Sequence, residues 1–304
     1  MGLSWQQGPL AFSNNPHLQD LSLRSTAISP HLLYQQIVRY GGFGAVNRIY
    51  IEAPVERCAD VILAMGKNIR CLHLRCYGSE TVHETAQALR RIVEHCSSNV
   101  PEMPPSTFRR MAEQNLTALF FPGGIPKYVA VSHLTDVELD FSNDCRNETA
   151  QAAVVLAPLR LALNLQSLSV THTYPLVYSE DDLGNMLGMW QNMRSLSLNP
   201  RPSRNAVAPQ PLTILSAVAS SGPSLQKFAA MVGKIGTATL QAPDKTWSPG
   251  VRVLDLGYSN GERGRFEEVA QYIQALFGTV SLETNDCSPW VGHVATAFAN
   301  LPPR

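Results

Sequence analysis

An L-x-x-L-x-L motif recurs along nearly the whole chain and constrains its fold more than any other feature. Most copies are separated by about 23 to 32 residues, close to the period of leucine-rich repeats. A unit of this length holds one strand and one helix, and it buries its apolar face only by stacking on its neighbours. Clear copies stand at Leu18-Leu21-Leu23, Val46-Ile49-Ile51, Ile69-Leu72-Leu74, Leu134-Val137-Leu139, Leu165-Leu168-Val170, Met193-Leu196-Leu198 and Val251-Leu254-Leu256, with weaker ones at Leu116-Leu119-Phe121, Leu225-Phe228-Ala230 and Phe277-Val280-Leu282.

The repeat predicts an α/β fold over residues 1–304, a single irregular leucine-rich-repeat solenoid of about ten repeats. We expect a curved parallel sheet on the concave face and helices on the convex face. The gap from Ile69 to Leu116 is about twice the usual period, so we expect one strand to be lost or disguised near Val100–Met103. No capping segment precedes the first repeat, and this suggests an N-terminally truncated array, since solenoids need capped ends.

Apolar residues at helical spacing predict the convex layer. Proline and capping residues at the starts of several segments support the helix assignments, as at Pro54 and Ser79. The predicted helices are Pro30–Tyr40, Val55–Met65, Glu80–Cys96, Glu148–Ala162, Asp181–Trp190, Pro211–Ala219, Arg265–Leu276 and Trp290–Leu301.

Charge and composition exclude several classes of function. The 24 Lys and Arg residues balance 24 Asp and Glu residues, so we expect no nucleic-acid partner, which would require a basic stripe. No apolar run reaches the roughly 18 residues of a membrane span. The N-terminus has no signal-peptide pattern and the six cysteines have no disulfide-like rhythm, which predicts a cytoplasmic or nuclear protein with reduced thiols.

Residues that alternate with the motif leucines should point away from the core and form a surface free to vary. Tyrosine and arginine are frequent at interface hot spots. We therefore hypothesise that a protein partner docks there, with an acidic segment near the arginines; the alternative is an ordinary solvated sheet face. The candidate residues form a basic-aromatic patch (Arg24, Arg48, Tyr50, His73 and Arg75) and an acidic patch (Asp136, Glu138 and Asp140), and Asp255 should face the same way.

Other polar clusters give weaker indications of chemistry. Cys71, His73 and Cys76 have a C-x-H-x-x-C spacing that lacks the second ligand pair of a zinc site. The acidic patch offers too few oxygens for calcium. The pairs Asp181-Asp182 and Glu267-Glu268 begin predicted helices, where carboxylates stabilise the helix dipole. No nucleophile elbow or phosphate-binding loop occurs, so we predict no catalysis, no metal and no cofactor.

The repeat texture resembles the leucine-rich-repeat region of fungal F-box proteins. The segments that carry the resemblance are residues 164–170, 192–198, 224–228 and 251–256. It implies a substrate-recognition role in a Skp–cullin–F-box ubiquitin ligase. No Leu-Pro-rich helical segment precedes Leu18, so no F-box residue can be assigned, and the Skp adaptor is expected as a partner only if an F-box is encoded upstream of Met1.

These observations predict a non-catalytic scaffold that binds protein. One form of the hypothesis is the substrate-recognition arm of an F-box-type ubiquitin ligase receptor, or of a relative that lacks the F-box. Another is a stand-alone interaction or regulatory module unrelated to ubiquitin. A third is an enzyme whose site has no recognised motif.

Overall fold

The computed structural model describes residues 18–24, 43, 45–63, 65, 68–76, 82–99, 130–141, 152–203, 210–233, 240, 250–262 and 264–302. Eleven strands and seven α-helices lie in this part of the chain. The strands are β1 (Asp20–Arg24), β2 (Arg48–Ala53), β3 (Cys71–Cys76), β4 (Ser97–Asn99), β5 (Ala130–Ser132), β6 (Asp136–Phe141), β7 (Ser167–His172), β8 (Ser195–Leu198), β9 (Lys227–Ala230), β10 (Val253–Asp255) and β11 (Ser281–Glu283). The helices are α1 (Val55–Leu63), α2 (Val82–His95), α3 (Ala152–Leu156), α4 (Glu180–Met189), α5 (Ile214–Ser221), α6 (Phe266–Phe277) and α7 (Pro289–Ala299).

Nine of the strands form one open parallel sheet in the order β1-β2-β3-β6-β7-β8-β9-β10-β11. Equivalent motif positions pair with each other, so Leu21, Ile49 and Leu72 lie in one row across the first three strands. Parallel neighbours require a crossover connection, which a helix usually provides. The α/β leucine-rich-repeat architecture expected from the motif is confirmed.

The core lies between the sheet and the helices. Burial alternates along the strands, so that in β3 Leu72 and Leu74 are buried and the residues between them are partly exposed. The apolar sides of the helices, such as Ile62 of α1 and Ile273 of α6, belong to the same core. The helices therefore lie on one side of the sheet. We call the other side, formed by the alternating residues that the motif leaves variable, the open face.

The described helices follow the predicted ones to within a few residues, with one change of type. The segment predicted as a helix over Glu148–Ala162 contains α3, which is followed by a 3₁₀-helix at Ala157–Leu161. Pro158 has no N–H to donate, so the regular α-helical ladder cannot pass through it, whereas the first turn of a new helix accepts proline. The predicted helix Pro30–Tyr40 lies outside the described residues.

The double-length gap in the motif is an insertion beside the sheet. Strand β3 pairs directly with β6. The weak motif copy at residues 116–121 lies outside the described residues. Between β3 and β6 in the chain, β4 and β5 form an antiparallel two-stranded ribbon. The chain leaves and returns at one point, where the His133 N–H donates to the carbonyl of Cys96. Val100–Met103, where a disguised strand was expected, also lies outside the described residues.

None of the helices in the described ranges is long and apolar enough to span a membrane.

Candidate functional site

The open face is organised by the register of the sheet. Parallel pairing places corresponding residues of successive repeats in rows across the strands, and every second residue of a strand faces this side. The central row is Ser22, Tyr50, His73, Glu138, Ser169, Ser197, Ala229, Asp255 and Glu283.

The two predicted patches lie on this face and adjoin each other. Strands β3 and β6 are neighbours, so His73 stands opposite Glu138 and Arg75 opposite Asp140. The basic-aromatic patch begins on β1, where the backbone of Arg24 pairs with that of Glu52. More than 60 residues separate the patches in the sequence, and their adjacency follows from the insertion leaving the sheet.

In the basic-aromatic patch, the two arginines whose side chains are described are close to carboxylates of this chain. The Arg48 Nε atom lies 3.9 Å from Asp20 Oδ1, and the Arg75 Nε atom lies 3.4 Å from Asp140 Oδ2. A hydrogen bond with Tyr50, followed by the charges of Asp140 and Glu52, raises the pKa of Arg75. Arg75 is thus held by Tyr50 and Asp140 before any partner arrives, whereas the pair of Arg48 with Asp20 is long and exposed.

The carboxylates of β6 differ in their surroundings. Asp140 faces Arg75, while His73 Nδ1 lies 2.8 Å from Glu138 Oε2 in a pair that is ionic only when the imidazole is protonated. Asp136 accepts hydrogen bonds from the Thr135 hydroxyl at 2.6 Å and from the Cys71 thiol at 3.6 Å, both of them neutral donors. Burial and the charge of Asp136 raise the pKa of the Cys71 thiol.

Strands β7 and β8 carry a band of hydroxyl groups on the open face. Ser167 pairs with Ser195 and Ser169 with Ser197 in the ladder, and Thr171 continues the band on β7. These side chains are short, uncharged and partly exposed. They can donate to and accept from a polypeptide backbone.

The C-terminal strands carry a second set of ion pairs, and one of them is buried. Asp255 lies in the central row, as its position in the motif predicts. Its side chain is nevertheless only 4% exposed and accepts two hydrogen bonds from Arg201, at 2.7 and 3.0 Å. Arg201 also donates to the carbonyls of Asn285 and Asp286. These loops cover the end of β10. Nearer the surface, Lys227 Nζ lies 2.8 Å from Glu283 Oε1.

Sequence reasoning did not find the role of Arg201, because it lies 54 residues from Asp255 in a proline-containing turn outside any motif. Gly257 is part of the same junction. Its N–H donates to Asp255 Oδ1 at 2.9 Å, and the adjacent N–H of Tyr258 donates to the carbonyl of Pro200. The turn at Pro200 and Arg201, the end of β10 with the residues that follow it, and the loop at Asn285 and Asp286 are thereby fixed to one another.

The metal alternative does not fit the strand geometry. Cys71 and His73 face the open side, whereas Cys76 is buried on the core side, because residues an odd number apart on a strand point in opposite directions. Across the ranges that the structure describes, no group of three or more His, Cys, Asp or Glu side chains is placed to hold a metal ion.

The paired carboxylates at helix starts are structural. Asp182 forms a capping box with Ser179 at the N-terminus of α4, and Glu267 and Glu268 lie in the first turn of α6. Glu268 forms an ion pair with Arg265 at 2.5 Å. Both pairs thus complement helix N-termini as the sequence indicated.

Comparison with known proteins finds a distant likeness among solved structures. No protein-family model matches the chain, and no curated protein matches it. Among solved structures, the leucine-rich repeat-containing protein LegL7 from Legionella pneumophila is similar over 99% of this chain and 98% of its own, with 13% sequence identity and a TM-score of 0.38. A likeness this distant carries no information about what this chain binds.

Proposed function

We propose that this chain is a non-catalytic scaffold that binds a protein partner on the open face of its sheet. The observation that carries the proposal is the separation of the two sides of the strands. The motif leucines are buried, while on the opposite side Asp20 and Arg48 expose 71% and 67% of their side chains. Parallel sheets are normally covered on both faces, so a polar face on which none of the described helices packs is a natural docking surface.

The contact residues that we propose are the eight of the two patches: Arg24, Arg48, Tyr50, His73, Arg75, Asp136, Glu138 and Asp140. Tyr50 and Arg75 interact with each other and belong to residue types that dominate interface energies. Asp140 and Tyr50 restrict the Arg75 side chain, which lowers the entropy lost when a partner orders it.

A more specific form of the proposal is that the scaffold is the substrate-recognition arm of an F-box-type ubiquitin ligase receptor, or of a relative without the F-box. The repeat sequences at residues 164–170 and 192–198 support it by their resemblance to such arms. The alternative is a stand-alone interaction or regulatory module. In either form we place the protein in the cytoplasm or nucleus, and the free cysteines among the described residues suit a reducing compartment.

The test is a comparison of partners between two variants. The chain is tagged at its own locus as wild type, as the triple variant Arg48→Ala, Tyr50→Ala, Arg75→Ala, and as a helix-side control, Glu267→Ala, Gln271→Ala. Proteins that co-purify are then quantified by mass spectrometry. We expect the triple variant to lose at least one partner that the wild type and the control retain.

Two other outcomes are informative. If all three forms retain the same partners, the part of the open face around Arg48, Tyr50 and Arg75 is not the docking surface. If the partner set includes the Skp adaptor and a cullin, the ubiquitin-ligase form is supported, and their absence from a set of specific partners favours the stand-alone module.

A further inference from the structure

The charges of the open face do not favour an acidic partner. Among the side chains that the structure describes at the outward positions of β1, β2, β3 and β6 there are two arginines and five carboxylates, a net charge of −3 with His73 neutral. The arginines are Arg48 and Arg75, and the carboxylates are Asp20, Glu52, Asp136, Glu138 and Asp140. An incoming acidic segment would therefore compete with this chain's own carboxylates for Arg48 and Arg75.

The excess negative charge lies on β6. Asp140 has Arg75 as its cation, but the hydrogen-bond donors to Asp136 are a hydroxyl and a thiol, and the partner of Glu138 is a histidine that is charged only when protonated. Asp136 and Glu138 are two residues apart and face the same side of the strand. A cation placed between them would be attracted by both.

The shape of the face provides space for that cation on one side only. Toward β3 the β6 carboxylates meet His73 and Arg75, whereas toward β7 they meet the short side chains of Ser167, Ser169 and Thr171. The hydroxyl band continues on β8, and the next long side chain is Lys227 on β9, which is paired with Glu283. From β6 to β9 is three strand spacings, about 14 Å, which is wide enough for one extended segment.

We infer that the partner segment is basic and extended, that it lies over β7 and β8, and that a lysine or arginine of this segment binds between Asp136 and Glu138. The serine and threonine hydroxyls form hydrogen bonds with the segment. The β6 carboxylates select a positively charged segment and set its position along the face. This inference rests on the proposed function, because it names the chemistry of a partner of the same face.

The experiment is selection of peptides by the whole chain. A phage library of random 12-residue peptides is panned against the immobilised wild-type protein, and the Lys, Arg, Asp and Glu contents of the enriched sequences are compared with those of the unselected library. We expect enrichment in lysine and arginine. Synthetic copies of the enriched peptides should bind at least tenfold more weakly when the salt concentration rises from 50 to about 500 mM.

Three variants locate the binding. Asp136→Asn with Glu138→Gln removes the charges without changing side-chain size, and Ser169→Lys places a cation beside Glu138; we expect each to weaken peptide binding at least tenfold. Ser22→Lys is the matched control, since it introduces the same side chain in the same row on β1, three strands from β6. It should leave binding within twofold. Circular dichroism and thermal unfolding verify that each variant is folded.

The possible failures separate this inference from the proposed function. Acidic enriched peptides that are lost with the Arg48, Tyr50 and Arg75 substitutions would overturn the inference and support the scaffold. Basic peptides that bind all variants equally would overturn the assignment to β6–β8. The absence of any enriched peptide sensitive to an open-face substitution would count against both.

Discussion

Asp255 illustrates how the same strand position has different surroundings at the two ends of the sheet. In β3 and β6 the corresponding residues, His73 and Glu138, are about half exposed and paired with each other. In β10 the loops that carry Arg201 and Asn285 fold over the position, so the carboxylate is buried and hydrogen-bonded by a guanidinium. A buried carboxylate without its cation is strongly unfavourable, which makes this pair a point of sensitivity.

We predict that Arg201→Ala lowers the free energy of unfolding by about 3 to 5 kcal/mol, because it leaves Asp255 buried without a cation. Urea unfolding followed by circular dichroism measures the change. The control is Lys227→Ala, which removes the more exposed pair with Glu283 and should cost less than about 1 kcal/mol. Equal losses in the two variants would contradict the assigned role of burial.

We predict that Gly257→Ala destabilises the protein by at least about 2 kcal/mol. Gly257 has a φ of 50°, and an added Cβ would lie 1.9 Å from the carbonyl oxygen of Pro200. Gly188→Ala in α4 is the control, because its Cβ would meet no atom within 4 Å and alanine favours the helix by about 0.5 to 1 kcal/mol. Thermal unfolding should shift in opposite directions for the two variants.

At the scale of elements, a capping box in the sequence marks the start of α4. Ser179 and Asp182 exchange hydrogen bonds: the Asp182 N–H donates to Ser179 Oγ, and the Ser179 N–H donates to Asp182 Oδ2, both at 3.0 Å. The hydrogen bonds from the Ser179 backbone and hydroxyl lower the pKa of the Asp182 carboxyl. The carboxylate therefore stabilises the folded state more than the carboxylic acid does.

The capping box predicts a pH-dependent contribution to stability. Asp182→Ala should cost about 1 kcal/mol at pH 7. The contribution is fully present above the unfolded pKa of about 3.9 and is lost as pH falls through the lower folded pKa, so wild type and variant should converge in acid. Denaturant unfolding at several pH values measures this. Asp181→Ala is the control; it removes no capping hydrogen bond, and a loss as large as that of Asp182→Ala would contradict the mechanism.

Helices and strands were predictable where local signals agree with packing. Leucine spacing located the described strands of the main sheet, and apolar spacing located α1, α2, α4, α5, α6 and α7. The helix ending near Ala162 was predicted too long at its C-terminal part because Pro158 changes the hydrogen-bond pattern while the apolar spacing continues. Periodicity reports which face is buried, and it does not distinguish an α-helix from a 3₁₀ turn.

At the scale of the whole molecule, the insertion between β3 and β6 tests whether the repeat array is continuous without it. We predict that replacing residues 100–129 by Asn-Gly preserves the sheet and leaves stability equal or up to about 2 kcal/mol higher. Asn99 and Ala130 pair at the end of the β4–β5 ribbon, where a two-residue turn closes an antiparallel hairpin. Circular dichroism and urea unfolding are the measurements. A variant that fails to fold would show that the array requires the insertion.

The sequence predicts which face of the sheet carries the candidate site, but it does not predict which side chains of that face meet. Alternation alone assigns Arg48, Tyr50 and Arg75 to the open side, since residues two apart on a strand share a face. Nothing local indicates that Arg75 will meet Asp140, because β3 and β6 become neighbours only when the insertion leaves the sheet. Because of that adjacency, the charge that we expect of the partner segment is positive and no longer negative.

The sequence by itself determined the architecture of this protein. A motif repeated at nearly constant spacing must bury the same side of each strand, so strands, register and layers follow from local periodicity. The tertiary structure alone decided which charges neutralise one another, which loop covers Asp255, and where the face remains negative and open. These features depend on contacts between residues far apart in the chain, whose strength is set by distance and burial and leaves no trace in a local pattern.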